Sequence, residues 1–71
     1  MSTHPPVTGT VTEFDERRGL GTISASGTTH AFHCTQLADG SRSIRVGQRV
    51  EFVVVPGRRG DWEAAAIVKV G

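Results

Sequence analysis

The sequence predicts an all-β domain in which five short strands close into a small barrel or sandwich. Segments rich in Val, Thr, Ile and Phe recur along the chain, separated by Gly-containing turns at the spacing usual for such folds. In the clearest of them, Val50, Phe52 and Val54 alternate with Arg49, Glu51 and Val53, the pattern of a half-buried strand. No stretch carries a sustained helical period. With 71 residues the chain has room for one domain. A chain of this size buries only about 60% of its unfolded surface, which disfavours a deep enclosed catalytic cavity.

Taken in order, Met1 to Pro6 holds two prolines and no apolar periodicity and reads as a flexible tail, so the domain is expected over residues 7–71. Strands are expected at Val7 to Phe14, Leu20 to Ala25, Thr29 to Cys34, Gln48 to Val55 and Trp62 to Val70. In the last, Trp62 to Ile67 carries the Ala and Glu of a helical turn, whereas Val68 and Val70 favour strand. Strand is the reading adopted. Turns are marked by Asp15 to Gly19, Ser26-Gly27, Ala38 to Ser41 and Pro56 to Gly60. The one long connection, Thr35 to Gly47, is polar around the apolar anchors Leu37, Ile44 and Val46, and is expected to cover one end of the barrel.

Charge and cysteine content narrow the function classes. Eight Lys plus Arg against seven Asp plus Glu give a net charge of +1, too little to mark a nucleic-acid binder by bulk charge alone. Seven of the eight cations are Arg, whose planar head both pairs with phosphate and stacks on a base. The lone Cys34 forms no intramolecular disulfide, and an unpaired thiol fits a reducing, cytoplasmic setting. The N-terminus shows no signal-peptide pattern, and no apolar run reaches the roughly 18 residues of a membrane span.

Catalytic and metal constellations fare poorly. His30, His33 and Cys34 are zinc-ligand types, but on a strand His33 and Cys34 diverge and His30 lies opposite His33. The same divergence weakens a Cys34–His33 nucleophile and base pair. Gly19 and Gly21 lack the third glycine of a dinucleotide fingerprint, since Ser24 stands there, and read as serving a strand bend. Glu13, Asp15 and Glu16 cluster around a turn as solvated charge. No cofactor, no metal and no enzymatic activity are expected.

One long segment carries more information: Gly9-Thr10-Val11-Thr12-Glu13-Phe14-Asp15-Glu16-Arg17-Arg18-Gly19-Leu20-Gly21-Thr22-Ile23. It resembles, without a gap, the opening of a cold-shock domain, the OB-fold module whose first two strands read roughly G-x-V-K-W-F-N-x-x-K-G-F-G-F-I. Phe32-His33-Cys34-Thr35 resembles the family's V-F-V-H-F-S segment, and Gly47-Gln48-Arg49-Val50-Glu51-Phe52 is similar to its G-Q-x-V-x-F strand. Pro56 to Gly60 and Ala64 to Ile67 resemble its last hairpin and final strand. The resemblance spans nearly the whole chain and implies a five-stranded antiparallel Greek-key barrel that binds single-stranded RNA or DNA, stacking bases on surface aromatics.

The departures fall on those aromatics. Glu13 replaces the family's tryptophan, Leu20 and Thr22 replace two phenylalanines of its first ribonucleoprotein motif, and Cys34 and Ser41 stand where the family usually has aromatics. Phe14 and His33 match. Alternation favours Phe32 in the core with His33 outward, which gives the surface place to Ala31. Stacking is worth about 1–3 kcal/mol per base, so five losses remove on the order of 5 kcal/mol, more than about three decades of affinity.

The binding face implied by the resemblance is Phe14, Arg18, Leu20, Thr22 and His33, with Arg42, Arg58 and Arg59 beside it. Phe14 serves either the core or the platform. Arg18 contacts phosphate or stacks on a base, or is solvated loop charge. Trp62 follows an apparent one-residue insertion and either packs over the barrel's end or supplies a relocated stacking site. The leading expectation is a non-enzymatic, monomeric protein that binds single strands weakly and with little sequence preference, as an RNA chaperone or transcription accessory. The alternative is a degenerate cold-shock barrel used as a protein-interaction module.

Overall fold

The computed structural model describes residues 6–57 and 62–71. The tail expected over Met1 to Pro6 therefore lies outside the described residues except at Pro6, as do Arg58 and Arg59. Five strands form: β1 (Val7–Asp15), β2 (Leu20–Ala25), β3 (Thr28–His33), β4 (Arg49–Pro56) and β5 (Trp62–Lys69). They close in the order β1-β2-β3-β5-β4, and β4 pairs back onto β1. Four of the five junctions are antiparallel, and the fifth, β3 to β5, is parallel through Ala31 and Glu63. Closure leaves no long edge to template aggregation. The segment from Trp62 to Ile67 is strand, as adopted from the sequence.

Alternation along each strand fills the barrel. Val11, Ile23, Phe32, Val50, Phe52 and Ile67 are buried, with Leu37 and Ile44 entering from the long connection. Val50 and Phe52 are the expected inward residues of β4, and Val54 packs half-buried against the same core. Val46 departs from expectation: it is 63% exposed, because Val46 and Gly47 form the turn that leads into β4. Leu37 and Ile44 therefore anchor the connection without it. Cys34 also departs, since β3 stops at His33 and Cys34 opens a one-turn 3-10 helix over Cys34–Gln36, half-buried against the core.

Two bulges break the period of two. In β1, Val11 pairs with Ile23 and Glu13 with Thr22, which leaves Thr12 as the extra residue. In β5, Val68 pairs with Glu51 and Ala65 with Val53, so Ala66 and Ile67 together oppose Phe52. Ala66 adopts φ +51° there, a left-handed conformation that a Cβ disfavours.

The long connection is tied to the barrel by polar contacts. Lys69 Nζ reaches Asp39 Oδ2 at 2.9 Å and donates to Ser41 Oγ and to the Ser43 carbonyl, both at 3.1 Å. Ser43 Oγ donates to Glu16 Oε1 at 3.3 Å, joining the connection to the β1–β2 turn.

Candidate nucleic-acid interface

The first bulge decides which residues of β1 and β2 face outward. Val11 points in, and the extra residue Thr12 resets the phase so that Phe14 also points in. Glu13 and Asp15 then face outward. Register carries this across three strands: Asp15, Leu20 and His33 form one outward row, and Glu13, Thr22 and Ala31 form the next. The row between them faces inward and consists of Phe14, Gly21 and Phe32.

That inward row explains Gly21. A Cβ at Gly21 would lie 2.6 Å from Phe32 Cζ and 2.6 Å from the Glu13 carbonyl oxygen, so the Phe32 ring occupies the space a side chain needs. The glycine serves a close approach rather than a bend. Phe14 stacks parallel to Phe32 across it, with centroids 6.0 Å apart and an interplanar angle of 4°. Phe14 is half-buried, so the two places open to it in the sequence merge: it packs on the core and still lines the surface. Phe32 is buried and His33 exposed, as alternation requires.

Outside this row lies a shallow depression of about 390 Å³ lined by Glu13, Phe14, Asp15, Leu20, Gly21, Thr22, Ala31 and Phe32. Its volume falls in the range of about 300–1,000 Å³ typical of small-ligand clefts. Small side chains at Thr22 and Ala31 leave the edges of Phe14 and Phe32 at its floor. The Thr22 hydroxyl is engaged, 2.7 Å from Thr12 Oγ1, which in turn donates to the Thr22 carbonyl at 3.3 Å. The bulge residue therefore pins the middle of the face.

Three other predicted residues, His33, Arg18 and Arg42, lie outside the lining of the depression. His33 pairs in register with Leu20, and its Nδ1 accepts from the Thr35 amide at 3.2 Å and lies 2.9 Å from Thr35 Oγ1. An Nδ1 that accepts leaves Nε2 as the proton-bearing nitrogen of the neutral ring. Arg18 sits on the β1–β2 turn, where Asp15 Oδ1 accepts from the amides of Arg17 and Arg18 at 3.0 and 3.3 Å. Its guanidinium is 3.9 Å from Asp15 Oδ2, an exposed pair of little energetic weight, so the head remains available to an anion. Gly19 closes the turn at φ +67°, with Cys34 Sγ filling the place of its missing Cβ. Arg42 lies on the long connection at φ +60°, exposed, and does not line the depression.

Trp62 stands apart from these. It opens β5 opposite Pro56, is 60% exposed, and lines a second depression of about 530 Å³ with Thr28, Thr29, His30, Ala31 and Val54. Ala31 lines both depressions, so the small residue at this outward position of β3 is the common wall between Leu20 and Trp62. An aromatic at position 31 would separate them.

Of the residues expected from the sequence, Phe14, Leu20 and Thr22 line the first depression together. Sequence reasoning gave no site role to Asp15, Arg17 or Thr12, whose contributions depend on the turn and the bulge. A period-two pattern carries no signal for an extra residue. Among the described residues no three His, Cys, Asp or Glu side chains gather at metal-ligand distance, and His30 faces inward against Phe52, away from His33. No helix of the described residues is long and apolar enough to cross a membrane.

The comparisons agree with this geometry. The sequence model of the 'Cold-shock' DNA-binding domain matches residues 7–70. The cold shock protein CspA of Staphylococcus aureus is 42% identical over 64 residues, covering 87% of this chain and 96% of its own length, and that of Staphylococcus haemolyticus matches equally well. CspA of Staphylococcus saprophyticus is 41% identical over the same span. The barrel, the matched residues and the relatives establish that the chain belongs to the cold-shock domain family.

Proposed function

We propose that the chain is a non-enzymatic, monomeric, cytoplasmic protein that binds single-stranded RNA or DNA weakly and with low sequence specificity, as an RNA chaperone or transcription accessory. One observation carries the reading: the register aligns Leu20, Thr22 and His33 on a single outward face over the Phe14–Phe32 pair. That is the face on which the family stacks bases.

With Leu20 and Thr22 at its centre, this face offers apolar and hydroxyl contact in place of full aromatic planes, and affinity falls to the order of micromolar or weaker. Arg17 and Arg18 stand at one end to take phosphate. Trp62, at the other side of Ala31, supplies a stacking plane, so a strand lying over both depressions meets His33, the Phe14 edge and Trp62 in turn. Arg58 and Arg59, which lie outside the described residues, are proposed as further phosphate contacts on their charge alone. Arg42 adds a peripheral phosphate contact at most.

The test is an NMR titration of labelled protein with a mixed-sequence heptamer at two salt concentrations. Salt-sensitive shifts at Arg18, Leu20, Thr22, His33 and the Trp62 indole are expected. No shift at millimolar ligand would overturn the reading, and the exposed Leu20 and Trp62 would then favour the protein-interaction alternative. Nanomolar binding at about 0.15 M salt would overturn the assignment of weak affinity.

A further inference from the structure

The lining of the first depression contains a group that a phosphate-binding face would not choose. Glu13 faces outward in register with Thr22 and Ala31, and among the described residues its carboxylate has neither an ion-pair partner nor a hydrogen bond. The other acidic residues nearby are committed elsewhere. Asp15 caps the β1–β2 turn through two backbone amides. The Glu63 carboxylate lies against Gly57, where a Cβ would come 2.6 Å from its Oε2. Of the two carboxylates that line the depression, Glu13 and Asp15, Glu13 is thus the one without a hydrogen-bond or ion-pair partner among the described residues, and it stands in register with Thr22.

We infer, on the reading that this face binds single strands, that Glu13 is a specificity-determining residue that selects bases bearing an exocyclic amino group and so, between the pyrimidines, favours cytosine over thymine and uracil. An ionised carboxylate only accepts hydrogen bonds. It repels the phosphate backbone and therefore faces the base edge. The Watson–Crick edge of cytosine offers the N4 amino donor to such an acceptor. Thymine and uracil offer a single N3–H flanked by two carbonyl oxygens, which meet the carboxylate with like partial charge. The two pyrimidines have the same ring size, so apolar contact with the half-buried Phe14 edge contributes little to the difference. Thr12 Oγ1 donates to the Thr22 carbonyl, so the Thr22 hydroxyl spends its proton on Thr12 and, like Glu13, can only accept from a base, which adds to the preference for an amino donor.

The test compares fluorescently labelled heptamers of deoxycytidine and of thymidine by anisotropy at pH 7.5 and low salt. The native chain is expected to bind the deoxycytidine heptamer on the order of tenfold more tightly. Glu13→Gln presents both a donor and an acceptor and is expected to bring the two affinities within about twofold of each other, chiefly by improving thymidine binding. Glu63→Gln removes the same charge without touching the depression and is expected to keep the ratio. Equal binding of both heptamers by the native chain, a preference that survives in Glu13→Gln, or its loss in Glu63→Gln would each overturn the inference while leaving single-strand binding intact. Binding of neither heptamer would overturn the nucleic-acid reading itself, and this inference with it.

Discussion

The two faces of β1, β2 and β3 have been held to different standards. Facing inward, Val11, Ile23 and Phe32 are buried, and Phe14, Gly21 and Phe32 fit so closely that no Cβ has room at the centre. Facing outward, the rows Asp15–Leu20–His33 and Glu13–Thr22–Ala31 hold the carboxylate of Glu13, the branched aliphatic Leu20, the hydroxyl of Thr22 and the methyl of Ala31 at places where the resemblance implies flat rings. Adjacent residues of one strand thus carry a retained fold and an altered surface. The period of two lets side chains of opposite faces change independently, because neighbours in sequence do not touch.

The largest expected effect tests that independence from the outside. The combined variant Glu13→Trp, Leu20→Phe, Thr22→Phe rebuilds three stacking positions, each worth about 1–3 kcal/mol per base. Affinity for oligothymidine is expected to rise by about two decades or more in a titration followed by the anisotropy of a labelled oligonucleotide. Thermal stability should move little, since all three positions face solvent. An unchanged affinity would mean that the outward rows are not the binding face.

From the inside, Gly21→Ala is expected to cost about 2–3 kcal/mol in urea unfolding. The added methyl meets the Phe32 ring and the Glu13 carbonyl, and the carbonyl belongs to a paired strand that has little freedom to retreat. Phe32→Leu in the same chain should recover part of the loss. A neutral Gly21→Ala would show that the inward row is looser than its spacing implies.

How much of this was legible in the sequence follows from the same periodicity. Where a strand is regular, alternation was enough: the inward Val50 and Phe52, the buried Phe32 and the outward His33 all follow from it. Where one residue is inserted, it was not. Thr12 shifts the phase of β1, so the pattern left Phe14 between core and platform, and only the paired strand shows that it points inward. Val46 looked like an anchor because it is apolar, but its place in a turn exposes it, and an isolated exposed apolar residue is common. The outward residues proposed to bind were legible only through the family resemblance, since no local pattern distinguishes an exposed Leu20 that meets a ligand from one that does not.

The second bulge sharpens the comparison at smaller magnitude. Ala66 holds φ +51° opposite Phe52, and its amide donates to Gln36 Oε1 at 3.4 Å. Its exposed methyl adds strain and little packing. Ala66→Gly is expected to stabilise the barrel by about 1 kcal/mol, the relief of a left-handed Cβ outweighing the added freedom of the unfolded chain. Denaturant midpoints with an unchanged slope would measure it, and a lower midpoint would place the strain elsewhere.

The smallest effect concerns the exposed ion pair that holds the long connection to β5. Asp39 has its carboxyl lowered from 3.8 to about 2, first by the Ser41 backbone amide and then by Lys69, with the Ser41 hydroxyl contributing further. A carboxylate more acidic in the folded state stabilises that state fully above its unfolded value, and the contribution fades as pH falls from near 3.8 toward 2. Because the pair is solvent-exposed, the loss is small and screened by salt. Asp39→Asn should therefore lower stability slightly at neutral pH and converge with the native chain near pH 2. The amide still accepts from Ser41 but no longer attracts Lys69, so salt titration of the two proteins separates the ion pair from the turn. Lys69 also donates to Ser41 and to the Ser43 carbonyl, and those contacts should keep the connection seated on β5 after the carboxylate is neutralised. Amide exchange at Ala38, whose N–H donates to the Ile67 carbonyl, reads this directly: protection retained at pH 2 places the connection's anchorage in Leu37, Ile44 and the Lys69 donors, whereas protection lost below pH 4 places it in the ion pair.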